Sequence, residues 1–488
     1  MRTKISTCFL AALLLAQTAS YGCGDSAAPT ETTTAPPEQT TTPASVGYPY
    51  YDGADLGGKT LTILNVAKRC ADMLCMICPE EMDGEIVNDA MYERNAYVME
   101  KLNFSLVEDN RTTTADVSSV FERSMMAQDD TYDAAYIPMN RSYNVLVSGY
   151  LLNLRDIQNL HLDESWWDQT FLDATEIGGR SYFASSALHL MGVEGIWCLF
   201  FNQDMMDDLS LSYPYELVRE GKWTLDELAV YCKTAAVLNG ADSFVLSANS
   251  TAVYGSTSFY NSINKFILGM GGTFVTRTDD GFEFSAKNEK FINICQKLAG
   301  FFENEGYFVL SKDDSTPEIS YTTLFRKNRS MFLGAEVKMA NTLRDKEELF
   351  GIVPFPKLSV DDESYRSTAL QQVAVLTIPV TNADPESTAL ALDALSYESE
   401  QRVLPLYFEV RVEQKGLRNE NSIEMLQIIR DACTYDIGIQ YGWVSGLDAS
   451  LRDQLVSGDS AVASTIESNR SAIEAQIKDM VEAMDALD

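Results

Sequence analysis

The stretch TLTILNV, from Thr60 to Val66, decides the fold class of this chain. Its apolar and β-branched residues follow a glycine turn at residues 57–58, and this pattern is typical of a buried strand. Apolar residues then recur at helical spacing from Ile86 to Leu102, which predicts a helix. A second strand is expected from Phe104 to Val107. The chain therefore begins its folded part with a strand, a helix and another strand.

The same rhythm continues with a predicted helix from Val117 to Met126 and a predicted strand from Tyr132 to Ile137. Alternating strands and helices indicate an α/β fold, with a parallel sheet covered by helices. In such sheets ligands bind at the carboxyl ends of the strands. This rule nominates residues 65–68 and 138–141. From this edge we take three candidate ligand-binding residues: Asn65, Tyr136 and Asn140.

Further along the chain the sequence predicts strands at 178–184 and 196–202. These two strands, joined across residues 188–195, are expected to form a crossover between two lobes. Thr224 is expected to cap a helix, since Asp226 and Glu227 follow in the first turn. Helices are expected to dominate as far as Phe302. Further strands are predicted at 351–356 and 373–380, and an amphipathic helix from Ser460 onward.

The N-terminus has the composition of an export signal. Arg2 and Lys4 precede the apolar run FLAALLLA at 9–16, which is shorter than the ~20 residues that a membrane-spanning helix needs. A charged start and a short apolar run are typical of a signal peptide, here residues 1–22. The alternative to a lipoprotein signal is an ordinary signal peptide followed by an incidental cysteine.

The stretch Ser20-Tyr21-Gly22-Cys23 resembles the lipobox of bacterial lipoproteins, in which the cysteine becomes the lipidated N-terminus. Gly22 and Cys23 fit that motif, whereas Ser20 and Tyr21 depart from it. Residues 23–55 are rich in Thr and Pro and poor in apolar residues, which predicts a disordered, extended tether. We therefore expect a folded part that a lipid on Cys23 holds at the outer face of a membrane.

Composition bounds the function. The chain has 488 residues, 45% of them hydrophobic, and a formal net charge of −34, which fits two or three domains or one large two-lobed one. An acidic surface argues against binding of nucleic acid or of anionic lipid.

Cys70, Cys75 and Cys78 have a spacing that metal sites also use, although a disulfide or buried thiols are alternatives. Since His161 and His189 are the chain's two histidines, we expect no metal and no cofactor.

The order of several short motifs resembles the family 1 extracellular solute-binding proteins of carbohydrate ABC importers, the maltose-binding-protein-like group. The motifs are GGRSY (178–182), LFFNQD (199–204), GKWTLDEL (221–228), Gly271-Gly272 with Asp280-Gly281, FGIVPFPK (350–357), residues 369–379, and the run from Ser399 to Ile437. The resemblance implies a periplasmic-binding-protein-like fold, with two α/β lobes joined by crossing hinge segments around a ligand cleft. It places lobe 1 at 56–187 plus 366–412 and lobe 2 at 188–365 plus 413–488.

The resemblance also nominates residues that contact the ligand. Trp443 lies where the family often places a stacking tryptophan, and Tyr260 lies where a stacking tyrosine is found. Glu336 occupies a position at which many relatives have tryptophan, so that it would pair with hydroxyl groups instead. Gln372 precedes the strand that re-enters lobe 1. A packing role is the alternative for each of these residues.

We therefore expect a monomeric, lipid-anchored protein on the outer face of a bacterial membrane, which captures a sugar by hinge closure and delivers it to the permease subunits of an ABC importer. The alternatives are a binding protein for a peptide or polyamine, and an orphan surface protein that binds or senses. The motifs Gly-x-Ser-x-Gly and His-Glu-x-x-His are absent from the sequence, and we expect that the protein is not an enzyme.

Overall fold

The computed structural model describes residues 47–67, 69–70, 73–278, 281–311, 316–343, 346, 349–409 and 420–486. The predicted signal peptide, Cys23 and the tether up to residue 46 lie outside the described residues, as does Lys68.

The strands are β1 (Lys59–Val66), β2 (Arg69–Cys70), β3 (Met73–Leu74), β4 (Phe104–Arg111), β5 (Ala134–Pro138), β6 (Trp197–Asn202), β7 (Tyr254–Phe259), β8 (Val275–Thr278), β9 (Gly281–Phe284), β10 (Phe308–Ser311), β11 (Ser330–Glu336), β12 (Phe350–Val353), β13 (Ser367–Thr368), β14 (Ala374–Thr377) and β15 (Cys433–Thr434).

The helices are α1 (Ile86–Leu102), α2 (Thr114–Ala127), α3 (Tyr143–Val147), α4 (Gln169–Thr175), α5 (Met191–Glu194), α6 (Gln203–Asp208), α7 (Tyr215–Arg219), α8 (Leu225–Ala235), α9 (Ile263–Gly269), α10 (Glu289–Phe302), α11 (Tyr321–Arg326), α12 (Met339–Thr342), α13 (Pro385–Glu398), α14 (Leu404–Tyr407), α15 (Glu420–Asp431), α16 (Ile437–Gln440), α17 (Ser445–Val456) and α18 (Val462–Asp485), with 3₁₀ turns at Met139–Arg141, Leu154–Asp156 and Pro317–Ile319 and a π-helical turn at Ser399–Val403.

Lobe 1 is built on a four-stranded sheet of order β14-β5-β1-β4. Strand β1 runs parallel to both β4 and β5, while β14 is antiparallel to β5. All residues of β5 are buried, as is typical of a strand that helices cover on both faces. The predicted parallel sheet with helical crossovers is therefore confirmed for this lobe.

Lobe 2 is built on a five-stranded sheet of order β10-β7-β11-β6-β12. Strand β7 is parallel to β10 and β11, whereas β6 is antiparallel to β11 and β12. The helical prediction for 254–259 was wrong, because β7 lies inside this sheet. The strand predicted at 178–184 is also absent: this segment makes isolated bridges, such as Ala184 with Leu376.

Crossing segments that lead into β6 and β14 join the two lobes. The Leu370 N–H donates to the Gly195 carbonyl at 2.9 Å, and Ile196 forms a bridge with Ala369. Beside them, β13 pairs in parallel with β15 from the C-terminal segment. These three segments form the hinge, and the two-lobed fold that the sequence predicted is confirmed.

Packed chain begins before residue 56, the predicted start of lobe 1. Tyr48 is buried, and its hydroxyl donates to the Asp393 carboxylate at 2.8 Å. Trp166 and Trp167 donate to the same carboxylate, which is fully buried on α13. The predicted tether therefore ends by Tyr48, because this tyrosine supplies a donor to a buried charge. In the part of the chain that the structure describes, no helix has the length and apolar character needed to cross a bilayer.

Candidate ligand-binding site

A cavity of about 310 Å³ lies beside the hinge on lobe 2, and we call it the cleft. Strands β6 and β11, helices α9 and α17 and the crossing segment 370–372 supply its walls. Its lining residues are Trp197, Phe259, Asn261, Asn264, Lys265, Glu336, Leu370, Gln371, Gln372, Ser445, Asp448, Ala449 and Arg452. Aromatic rings beside planar polar groups are the combination that a sugar site needs, because sugars present apolar C–H faces and a rim of hydroxyl groups.

Strand register places Trp197 and Glu336 on one wall of the cleft. The two residues are direct partners in the antiparallel pair of β6 and β11, so that their side chains stand on the same face of the sheet. Neighbouring residues of a strand point to opposite faces. Accordingly, Ile196 lines a second cavity, of about 310 Å³, behind the hinge.

Two acidic and two basic side chains meet in the cleft: Glu336 and Asp448, Lys265 and Arg452. Lys265 is 4% exposed, and its ammonium group donates to the Ala369 carbonyl of the hinge at 3.3 Å. Burial lowers the pKa of Lys265 to about 8. Burial likewise raises the pKa of Asp448 to about 6, although Asn264 donates to its carboxylate at 2.9 Å.

Several buried polar atoms of the cleft have no hydrogen-bond partner among the described residues: the Trp197 indole Nε1, the Glu336 Oε2 and the Asn264 Oδ1. Most buried polar groups in folded proteins are paired, since an unpaired one costs about 1–3 kcal/mol. Three residues that line the cleft therefore hold one indole donor and two oxygen acceptors without partners among the described residues. A ligand with both donors and acceptors would satisfy all three.

A second group of such atoms lies next to the cleft, where the two lobes meet. We call Asn140, Tyr143, Gln440, Tyr441 and Trp443 the interlobe cluster. The Tyr143 ring of lobe 1 packs edge-on against Trp443, with ring centroids 6.2 Å apart. Both amide atoms of Gln440, the Tyr441 hydroxyl and the Trp443 Nε1 are buried without a partner among the described residues, as is the Asn140 Oδ1. The Asn140 N–H donates to the Gln371 carbonyl at 3.1 Å, which joins this cluster to the cleft.

The structure brings some of the predicted residues to the cleft. Glu336 and Gln372 line it. Tyr260 lies between two lining residues, and the Arg452 guanidinium lies 3.9 Å from the centre of its ring. Trp443 does not line the cleft: its ring packs against Tyr143, Phe282 and Tyr441. The predicted Asn140 lies with it in the interlobe cluster.

Asn65 and Tyr136 lie inside lobe 1 instead of at the cleft. The Asn65 amide donates to Glu108 at 2.7 Å and to the Cys75 carbonyl at 2.8 Å, and the residue is fully buried. Tyr136 packs against His189 with ring centroids 4.7 Å apart, and burial lowers the pKa of His189 to about 3. Neither residue is among those that line the cleft.

Sequence reasoning did not nominate Trp197, Lys265, Asp448 or Arg452. One signal for Lys265 was present, since it stands with Asn264 in a mostly apolar run from Ile263 to Leu268 of α9, all of which is buried. A lysine at such a position needs partners.

The cysteines of the C-x4-C-x2-C pattern carry no disulfide where they can be described. Cys75 and Cys78 form no disulfide and Cys75 is buried, while nothing is described of the Cys70 side chain. Among the described residues no group of three or more His, Cys, Asp or Glu side chains is placed to hold a metal ion.

Compared with protein-family models, the sequence matches none. Curated protein sequences also give no match. Solved structures do match. A sugar transporter from Rhizobium etli in an open conformation has a TM-score of 0.59 at 14% identity, covering 85% of this chain and 99% of its own. A cyclic α-maltosyl-1,6-maltose binding protein from Arthrobacter globiformis has a TM-score of 0.58 at 14% identity, covering 87% and 100%.

UgpB from Mycobacterium tuberculosis, in complex with glycerophosphocholine, has a TM-score of 0.53 at 15% identity, covering 81% of this chain and 95% of its own. These likenesses extend over most of both chains. They show that this chain has the two-lobed fold of ABC-transporter substrate-binding proteins, as the sequence motifs predicted.

Proposed function

We propose that this protein is a substrate-binding lipoprotein that captures a sugar between its two lobes and delivers it to an ABC importer. The observation that carries the proposal is the set of buried, unpartnered polar atoms around the cleft, namely the Trp197 Nε1, the Glu336 Oε2 and the Asn264 Oδ1. Sugar hydroxyl groups both donate and accept hydrogen bonds, so that one sugar satisfies all of these atoms. The aromatic faces of Trp197 and Phe259 complete the site.

The similar structures support the same ligand class, since the relatives from Rhizobium etli and Arthrobacter globiformis are named for sugars. A polyamine is a poorer fit, because Lys265 and Arg452 would repel it while Glu336 and Asp448 attract it. A zwitterionic ligand remains the second candidate, since the same balanced charges would pair with both of its ends and one similar structure holds glycerophosphocholine.

A thermal-shift screen tests the ligand class. A ligand that binds only the folded state adds about 2.7 kcal/mol of stability at a hundredfold excess over Kd. We expect a shift with at least one mono- or oligosaccharide, and a smaller shift for Glu336→Gln than for the control Glu318→Gln, whose side chain is exposed. A shift with glycerophosphocholine, peptides or amines and none with sugars would contradict the sugar proposal.

The lipid anchor on Cys23 and the permease partners belong to the same proposal. A membrane-held monomer would keep the captured sugar close to its importer, on the extracellular side. Fractionation of cells that express the full chain tests the anchor: the wild type is expected in the membrane fraction and Cys23→Ala in the soluble one. Membrane retention of Cys23→Ala would show that the anchor is wrong.

A further inference from the structure

The cleft also restricts the size and charge of its ligand. We propose, on the basis of the proposed function, that the cleft binds an uncharged sugar of one or two rings. Glu336 and Lys265 form hydrogen bonds with adjacent hydroxyl groups of this sugar, and longer linear oligosaccharides do not bind.

The cavity is small. Its volume of about 310 Å³ stands at the lower end of the ~300–1,000 Å³ that small-molecule sites occupy. One sugar ring occupies a large part of such a space and two fill it, so that a third ring would have to continue outside the cleft.

Contacts at both ends oppose such a continuation. At the Gln371 end, the interlobe cluster fills the space between the lobes, where Tyr143 packs on Tyr441 and Trp443 with ring centroids 6.0 and 6.2 Å apart. At the other end, Arg452 covers the Tyr260 ring and donates to the Asn261 side-chain oxygen at 2.8 Å. These contacts place packed side chains at both ends of the cleft.

Glu336 supplies an acceptor at the floor of the cleft. The residue is 8% exposed, and its Oε2 has no partner among the described residues. An ionised carboxylate only accepts hydrogen bonds, and its burial without donors is costly. A ligand hydroxyl is the donor that this oxygen lacks.

Lys265 supplies the complementary donors. Its ammonium group has three N–H groups, of which one is directed to the Ala369 carbonyl. The others are able to donate to ligand oxygens. Because both Glu336 and Lys265 are buried in one cavity, a pair of neighbouring hydroxyl groups can accept from the ammonium group and donate to the carboxylate.

The charges of the cleft favour a neutral ligand. The cleft is lined by two carboxylates, Glu336 and Asp448, and by two cations, Lys265 and Arg452, of which Arg452 also forms an ion pair with Asp453 at 2.9 Å. A ligand with a net charge would leave one charge uncompensated in a buried site, which is costly. The carboxylates would repel a sugar acid, and the ammonium and guanidinium groups would repel an amino sugar.

Isothermal titration calorimetry of the full chain tests the proposal, with gluco- and galacto-configured mono-, di-, tri- and tetrasaccharides and with the uronic acid and amino sugar of the tightest monosaccharide. We expect the lowest Kd at one or two rings, a loss of at least tenfold at three rings, and a loss of at least tenfold for each charged analogue. A trisaccharide or tetrasaccharide that binds as tightly as the disaccharide would overturn the size limit, and a charged analogue that binds more tightly would overturn the charge limit. Binding by no sugar of any length would instead refute the proposed function itself.

Variants test the roles of Glu336 and Lys265 separately. Glu336→Gln and Lys265→Met are each expected to raise the Kd of the best sugar at least tenfold, while cooperative thermal melts show that both variants are folded. The matched controls are Glu318→Gln and Lys327→Met, which change exposed side chains of lobe 2 and are expected to bind as the wild type does. Wild-type affinity in either cleft variant would overturn the role of that residue.

Discussion

Trp197 and Glu336 lie directly opposite each other on the antiparallel strands β6 and β11, and each holds a buried polar atom without a partner among the described residues. One is a donor and the other an acceptor. The sheet of lobe 2 therefore presents a complementary pair to the cleft, at the end of β6 that leads into the hinge. A ligand held by this pair would lie beside the hinge.

The Trp197 indole N–H is the first part of this pair to test. Trp197→Phe keeps an aromatic face and removes the donor, so we expect the Kd for the sugar to rise about tenfold, or ~1.4 kcal/mol. The matched control is Trp223→Phe, because the Trp223 indole donates to the Pro354 carbonyl inside lobe 2 at 3.0 Å. The control is expected to lower the melting temperature and leave affinity unchanged. Calorimetry and thermal melts of both variants check this, and equal affinities in the two would contradict it.

Sugar affinity should depend on pH through Lys265. Burial lowers its pKa to about 8, with the carboxylates of Glu336, Asp448 and Asp436 and the Cys433 thiol as the groups that act on it. As the pH rises through about 8 the ammonium donors are lost, and the Kd is expected to rise. Calorimetry across this range checks the trend, and Lys265→Met should abolish it. If the Kd of Lys265→Met still rises with pH, another group is responsible for the pH dependence.

The lowered pKa of Lys265 also predicts how the stability of the protein changes with pH. In the unfolded chain the lysine pKa is near 10.5, so that between about pH 8 and 10.5 the unfolded state binds more protons than the folded state. Stability rises with pH under that condition, and Lys265 therefore contributes a rise in the free energy of unfolding over this range. Denaturant melts of the wild type minus those of Lys265→Met isolate this contribution. A difference that falls with pH would contradict it.

The length limit of the ligand is expected to depend on Tyr143. Tyr143→Ala removes the lobe 1 ring that packs on Trp443, and the space between the lobes at the Gln371 end then opens. We expect the Kd for a trisaccharide to come within tenfold of that for the disaccharide, as measured by calorimetry. Tyr92→Ala, at an exposed position on α1, serves as the control. If Tyr143→Ala still rejects the trisaccharide, the interlobe cluster does not limit ligand length.

The N-terminal segment should stabilise lobe 1 without affecting the ligand. Tyr48→Phe removes a hydrogen bond to the buried Asp393 carboxylate, which is worth about 1.5–3 kcal/mol for a charged partner. Tyr50→Phe removes a solvent-exposed hydrogen bond to Glu164 and is expected to cost less than 1 kcal/mol. Chemical denaturation and calorimetry measure both effects. Equal stability of the two variants would show that the Asp393 contact does not hold the segment.

Local sequence patterns predicted the first lobe well. Helix α1 has the predicted bounds, because its buried residues recur at the spacing of one helix face. Strand β1 begins one residue before the predicted start and ends where predicted. Thr224 caps α8 by accepting from the Glu227 N–H at 3.4 Å, as its position before two acidic residues predicted.

Strand β7 was missed for a reason that is not local. Its sequence YGSTSF has few apolar residues, although most of it is buried. Gly255 permits a close approach, since a Cβ there would lie 2.4 Å from the Cys232 Cβ and 2.8 Å from the Tyr307 carbonyl oxygen. The contacts that make this segment a strand come from parts of the chain distant in sequence.

The candidate site was predictable only in part, for the same reason. Glu336 was nominated because it replaces the tryptophan of many relatives, and Gln372 because it precedes the strand that re-enters lobe 1. Lys265 and Asp448 come from helices far apart in the sequence, and no pattern in the sequence indicates that they share a cavity. Trp443 was nominated by position alone, and packing with Tyr143 directs its ring to the boundary between the lobes.

The most direct test of the central claim is a crystal structure of the full-length protein with the tightest sugar from the calorimetric series. We expect one sugar of one or two rings between the lobes, packed on Trp197, with its hydroxyl groups hydrogen-bonded to Glu336 and Lys265. A sugar bound elsewhere, or a cleft in which Glu336 and Lys265 make no contact with it, would refute the proposed site.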